Sequence, residues 1–295
     1  MEPIVNEKVW IITGATTGFG FILVEKLLTL GHKVTATTRN KDKLNQKVTE
    51  QFKEKPEVLQ RFLACQVDLS DLKSIEACIT QTVEKFGRLD NLVNNAGYFT
   101  FGLVEEISDK EFRENLEVNF FGPVNFAKLA LPHLRESAKT NTTGPRILNI
   151  SSMLGIWGEL PGFVSYVSSK FALDGFSEVL HGELKPLNIH VTSVKPGGFK
   201  TEILMAEPNI SAFHPHPSGA YPNINEEYCR GLMVSLQKGD PSKLCDILIN
   251  QCNLPNPPLH LMIGADAYDI ANKKMKRVAD EMEQFRAEAT ATDLA

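Results

Sequence analysis

The 295-residue sequence holds little that would build a disulfide framework or a metal centre. Its five cysteines, Cys65, Cys78, Cys229, Cys245 and Cys252, are odd in number and contain no CxxC pair. They read as scattered buried thiols in a reducing compartment, and no cluster of His, Asp and Glu argues for a metal. No run of Lys and Arg stands out. The 31 basic residues face 36 acidic ones, for a net charge of −5, which disfavours nucleic acid as the main partner. No segment reaches the roughly 18 apolar residues that would suggest a membrane span. The opening MEPIVNEKVW carries acids and lacks an apolar leader core, so a soluble, cytoplasmic chain is expected. There is no internal repeat, and no Pro/Gly/Ser-rich linker divides the first two hundred residues. A single domain is expected over 1–295.

With 42% hydrophobic and 23% charged residues, the chain can bury a substantial core. Short apolar runs alternate with longer helical patterns. The runs are Val9 to Ile12, Lys33 to Thr37, Leu59 to Cys65, Asn91 to Val93, Arg146 to Ile150, His190 to Val194 and Leu259 to Ile263. Strands separated by helices need crossover connections, so the expected fold is α/β, a Rossmann-type doubly wound parallel sheet. A stretch rich in proline, from Glu207 to Asn225 and holding His214 and His216, predicts a substrate lid over about 201–228. Asp240-Pro241 predicts an N-cap and a helix running to about Gln251. A C-terminal extension over about 264–295 places Ala271, Met275, Val278, Met282 and Phe285 on one helical stripe. Packing on the chain's own body is the expected use of that stripe, with a subunit contact as the alternative.

Chemistry enters after the first strand. Gly14, Thr16, Thr17, Gly18, Phe19 and Gly20 form a GxxxGxG turn leading into a helix, where backbone amides can meet a pyrophosphate. About twenty residues on, a dinucleotide site that selects NAD carries an acid for the ribose 2′-hydroxyl. Here Thr37-Thr38-Arg39-Asn40 offers no acid and one guanidinium, suited to a 2′-phosphate. NADP(H) is therefore favoured, with NAD(H) as the alternative. Asn94-Asn95-Ala96-Gly97 and Asn149-Ile150-Ser151-Ser152 both close strands, the edge at which such sheets bind ligands. Tyr166 and Lys170 stand four apart, so a helix puts them on one face and the ammonium can favour ionisation of the phenol.

Taken in order, TGATTGFG, VDL at Val67 to Leu69, NNAG, VNFFG, ISS, YVSSK and KPGGFKT at Lys195 to Thr201 resemble the single-domain branch of the short-chain dehydrogenase/reductase family. The resemblance spans residues 5 to 201. NPPLHLMIGADAYD is similar to the tail of a 17β-hydroxysteroid-dehydrogenase-like subgroup. The resemblance implies a catalytic tetrad of Asn119, Ser152, Tyr166 and Lys170. It also implies an extra residue around Glu159, between Ser152 and Tyr166. Asp68 and Leu69 would lie beside an adenine, Asn95, Ala96 and Gly97 along the cofactor, and Pro196, Gly197, Phe199 and Thr201 around the nicotinamide. Tyr166 would pass a proton to a carbonyl oxygen held by Ser152. Lys170 would hold the ribose hydroxyls and lower the Tyr166 pKa, and Asn119 would hold a water. Trp157, Leu160, Phe163 and Phe199 are candidates for a substrate wall. The implied activity is reduction of a fairly apolar ketone or aldehyde, or oxidation of a secondary alcohol, in a homodimer or homotetramer built on the helices near Asn119 to Glu136 and Tyr166 to Leu184. A lyase or epimerase using the same Tyr-Lys pair, and a non-catalytic NADP(H) sensor or scaffold, are the alternatives.

Overall fold

The computed structural model describes residues 7–201 and 219–292. Most of the expected lid, with His214 and His216, lies outside the described residues. Among the described residues there are seven strands, β1 (Val9–Ile12), β2 (Lys33–Thr38), β3 (Phe62–Gln66), β4 (Asn91–Asn94), β5 (Arg146–Ile150), β6 (His190–Pro196) and β7 (His260–Ile263). They form one parallel sheet in the order β3-β2-β1-β4-β5-β6-β7. The order reverses between β1 and β4, leaving a crevice at their carboxyl ends, where ligands of open α/β sheets bind.

Strands covered on both faces carry apolar residues on both. In β1 the alternation of the pleat sends Trp10 and Ile12 to one core and Ile11 to the other. The first core is closed by α1 (Gly18–Thr29), α2 (Lys41–Gln51) and α8 (Pro241–Gln251), through Leu23, Leu27, Leu44, Val48, Leu244 and Leu248. The second is closed by α3 (Leu72–Phe86), α5 (Gly122–Ala138) and α6 (Val164–Leu184), through Ile75, Phe126 and Leu180. The shorter helices are α4 (Asp109–Leu116) and α7 (Glu226–Ser235), and α9 (Ala265–Ala289) follows the last strand.

Two expectations change. The third strand begins at Phe62, because Pro56 opens a 3₁₀ turn over Pro56–Arg61 that takes up the start of the apolar run. The stripe on α9 packs on the body only at its start. Ala267 and Ala271 are buried, while Met275, Met282 and Phe285 are exposed, since the helix runs past the edge of the sheet it leaves.

At the end of the sheet away from the crevice, burial, reinforced by the Arg146 guanidinium and by His181, pulls His190 down to about 4 from 6.5. Between those values the unfolded chain binds a proton that the native chain does not, so stability falls as pH drops through that window. His190 is only partly buried, so solvent reduces the effect. Replacing His190 by Gln is expected to recover on the order of 1 kcal/mol at pH about 5 and nothing at pH about 8, read by urea unfolding at both. An equal difference at both pH values would refute the titration.

Candidate active site

The turn from β1 to α1 is held from behind. Gly14 N donates to Thr37 Oγ1 at 3.3 Å and Ala15 N to Thr37 O at 2.9 Å. Thr16 Oγ1 meets Thr38 Oγ1 at 2.7 Å, and Lys47 Nζ donates to Thr16 O at 3.1 Å. Gly14 has φ +65, and a Cβ on it would lie 2.7 Å from Ala96 Cα, so only glycine lets the two loops meet. Thr17 caps α1 with no side-chain hydrogen bond, and the first turn of α1 has no acid. Its first amides are therefore available to an anion in the crevice. Gly20 serves packing instead, since a Cβ there would lie 2.6 Å from Gly14 O. Asn95 braces the same turn: its Nδ2 donates to Thr13 O at 2.8 Å, while Thr13 Oγ1 accepts from the amides of Asn95 and Ala96 at 2.9 Å each. Thr13, the residue before the motif, was not among the predicted site residues, although a hydroxyl between two Gly-rich loops is the available signal.

The turn lies on a cleft of about 1490 Å³, which Thr16, Thr17, Gly18, Phe19, Arg39, Asp68, Leu69, Ala96, Gly97, Ser152, Tyr166, Lys170, Pro196, Gly197, Phe199 and Thr201 also line. This exceeds the roughly 300–1,000 Å³ of a single small-molecule pocket and leaves space for a dinucleotide and a second molecule. Of the predicted site residues, Gly20, Asn40 and Asn119 do not line it. Asn40 caps α2, accepting from Lys43 N at 2.9 Å. Arg39 is exposed and makes no hydrogen bond or ion pair among the described residues. Nearby, Asp68 accepts from Ser70 N at 2.9 Å and Ser70 Oγ at 2.6 Å, and these bonds hold its carboxyl below the usual range, with a smaller contribution from Arg39.

At the other end of the cleft, β5 delivers Ser152 and α6 delivers Tyr166 and Lys170. Ser152 Oγ accepts from Leu154 N at 3.1 Å, which leaves its own proton to donate, and the hydroxyl draws the pKa of the Tyr166 phenol down. Lys170 Nζ donates to Ile150 O at 2.8 Å and lies 5.5 Å from the centre of the Tyr166 ring. Burial pulls Lys170 down to about 8, opposed by the charge of Asp174 one turn on. The expectation that Lys170 lowers the Tyr166 pKa does not match this arrangement. Burial pushes the phenol up, and the group that pulls it down is the Ser152 hydroxyl, because desolvation weighs on both the phenol and the ammonium. Asp174, absent from the expected set, accepts from Ser193 Oγ at 2.6 Å and pairs with buried Lys195 at 3.1 Å.

Asn119 lies behind the cleft on a π-helical turn, Glu117–Phe121, between α4 and α5. Its Nδ2 donates to Tyr98 O at 2.8 Å and to Asn115 Oδ1 and Ser169 Oγ at 3.0 Å, and its Oδ1 accepts from Tyr98 N at 3.0 Å. The side chain thus fixes the loop after Gly97. A Cβ on Gly97 would lie 3.1 Å from Asn119 Oδ1 and 3.5 Å from Lys170 Nζ, so glycine keeps that approach open.

The loop after β6 is held by a residue far along the chain. Asp266, in the first turn of α9, accepts from Gly198 N at 2.7 Å, and a Cβ on Gly197 would collide with its carboxylate. Phe199 meets Phe19 edge-on at 5.6 Å and walls the cleft with Phe99, Leu154, Leu160, Phe163 and Leu236. Trp157, a candidate for that wall, does not line the cleft and instead lies under the Arg277 guanidinium of α9, 5.2 Å away. Arg277 also pairs with Glu159, the position of the extra residue. Among the described residues there is no cluster of potential metal ligands, and no helix is long and apolar enough to cross a membrane.

The family of short chain dehydrogenases matches the chain over residues 8–209. An uncharacterised oxidoreductase of Schizosaccharomyces pombe is 33% identical to it over 95% of this chain and 90% of its own. A 3-ketodihydrosphingosine reductase of Bacteroides thetaiotaomicron is 31% identical, covering 97% of each. A short-chain dehydrogenase from Streptomyces avermitilis superposes with a TM-score of 0.83 at 29% identity, over 98% of this chain and 100% of its own. With the Gly-rich turn, the NNAG loop and the Ser-Tyr-Lys group on one crevice, the chain belongs to the short-chain dehydrogenase family of oxidoreductases.

Proposed function

We propose that the chain is an NADP(H)-dependent carbonyl reductase, interconverting an apolar ketone or aldehyde with its alcohol. The observation that carries this reading is a single cleft with the Arg39 guanidinium at one end and Ser152, Tyr166 and Lys170 against an apolar wall at the other. A dinucleotide fits that cleft because Gly14 and Gly97 keep side chains out of its floor and the first amides of α1 are uncapped. The turn from Gly14 to Phe19 would hold its pyrophosphate, Arg39 its 2′-phosphate, Asp68 and Leu69 its adenosine, and Gly97, Lys170 and the loop from Pro196 to Thr201 its nicotinamide riboside. When bound, the nicotinamide supplies or takes up the hydride.

The protein's own groups handle the proton and the oxygen. Ser152, its Oγ already accepting from Leu154 N, donates to the substrate oxygen as negative charge develops. Tyr166, kept protonated by burial, transfers its phenol proton to that oxygen. Lys170, anchored on Ile150 O at 2.8 Å, would hold the ribose hydroxyls of the nicotinamide riboside. The apolar residues around the group exclude water from these exchanges. A relative named 3-ketodihydrosphingosine reductase supports an apolar keto substrate.

The test is reduction of a panel of long-chain keto compounds, aldehydes and steroid ketones with NADPH and NADH, followed by the ultraviolet absorbance of the reduced nicotinamide, with Arg39→Ala alongside. A charge-assisted guanidinium–phosphate contact is worth about 1.5–3 kcal/mol. Arg39→Ala should therefore raise the Kd for NADPH by on the order of tenfold to a hundredfold and leave that for NADH within about threefold. Equal losses for both cofactors would remove the case for NADP(H).

A further inference from the structure

The C-terminal half of α9 has nothing beside it among the described residues. Every described residue from Ala279 to Thr292 is exposed, on all sides of the helix. A helical end of this length without tertiary contacts is marginal in water. Its apolar residues are nevertheless ordered, with Tyr268, Met275 and Met282 seven apart on one row, and Ala271, Val278 and Phe285 seven apart on the next. These are the two rows of a heptad seam. Tyr268, Met275, Met282 and Phe285 are 56%, 60%, 66% and 55% exposed.

We propose that this seam is a dimer interface on which a second copy of the chain lays its own α9, antiparallel. The sequence specifies the register. When Met275 faces Val278 of the partner subunit, Tyr268 faces Phe285 of the partner subunit, while Ala271 is buried against its own chain and Met282 of the partner subunit lies over the helix edge beside it. The two aromatic residues meet at each end. The charges agree as well. The flank before the centre is basic, with Lys273, Lys274, Lys276 and Arg277, and the flank after it is acidic, with Asp280, Glu281 and Glu283. Antiparallel pairing lays each basic stretch against an acidic one and brings Lys274 beside Glu281 of the partner subunit on both sides of the dyad. Lys274 makes no ion pair among the described residues, whereas Lys276, Arg277 and Arg286 are paired within the helix, with Asp280, Glu281 and Glu283 at 2.7, 3.6 and 2.8 Å. Parallel pairing would lay basic against basic and acidic against acidic.

The interface has a route to the cleft. Asp266 in the first turn of α9 holds Gly198, and Arg277 at the middle of the seam holds Glu159 and covers Trp157. A copy seated on the seam therefore fixes the helix that steadies two loops of the site.

The five native cysteines are all buried, so introduced thiols report without interference. In the full-length protein, Tyr268→Cys/Phe285→Cys under mild oxidation is expected to run almost wholly as a disulfide-linked dimer. Each single variant is expected to stay unlinked, because antiparallel pairing holds identical positions at the ends of the seam about 25 Å apart. Met282→Glu/Phe285→Glu, both at exposed positions, should halve the mass in sedimentation while leaving the circular dichroism intact. Linking of Phe285→Cys alone would overturn the antiparallel register. An unlinked double cysteine variant, or an unchanged mass for the double glutamate variant, would overturn the interface, and that is the result if another segment of the same chain or a different partner covers the seam.

Discussion

Tyr166→Phe is expected to lower kcat by about 10²–10⁴-fold, the usual contribution of a positioned general acid, with cofactor affinity changed less than about threefold. The substitution removes one oxygen and keeps the ring, which packs edge-on against Phe99 at 6.3 Å, so the cleft wall survives. The proton path through the site starts at that oxygen. Ser152 can donate a hydrogen bond to the substrate, but an aliphatic hydroxyl is a far weaker acid than a phenol and does not give up its proton in place of Tyr166. The comparison is single-turnover reduction by the two proteins at saturating NADPH. A variant that keeps full activity would leave the carbonyl-reductase reading without its acid and move the weight to a binding function.

Gly197→Ala is expected to weaken cofactor binding by on the order of tenfold to a hundredfold, the effect of about 1–3 kcal/mol of overpacking. The new methyl group meets the carboxylate of Asp266, which is held by Gly198 N and by Ala267 N at 3.0 Å and has no slack. Asp266→Ala in the same chain removes the collision but leaves Gly198 N without its acceptor. The double variant should therefore bind cofactor better than Gly197→Ala alone and worse than wild type, a coupling that a double-mutant cycle by fluorescence titration measures. Strict additivity of the two changes would show that the contact does not govern the loop.

Much of the sheet was legible because its strands are buried on both faces, so each reads as a short apolar run between polar turns. Val9–Ile12 and Arg146–Ile150 fall at the positions their apolar runs predict. The apolar run predicts the third strand three residues early, since Val58 and Leu59 are as apolar as the strand that follows and only the 3₁₀ turn after Pro56 separates them. Most of the predicted lining residues reach the cleft because Gly-rich and Asn-rich loops at strand ends are local features. Asn40 is not among them, for an asparagine before a helix is a cap as readily as a contact.

Periodicity and spacing along one helix are enough to fix the parallel α/β class, the crevice at the strand ends and the pairing of Tyr166 with Lys170. The sequence alone could not determine which group tunes the phenol. That depends on the burial of Tyr166 and Lys170 and on a hydroxyl fourteen residues away, and desolvation is a property of the assembled site. Nor could it show that Asp266 holds the loop at Gly197 or that the far half of α9 has no neighbour among the described residues. Both concern residues brought together, or left apart, only when the last strand joins the sheet and turns α9 back across the site, a placement set by packing over long range.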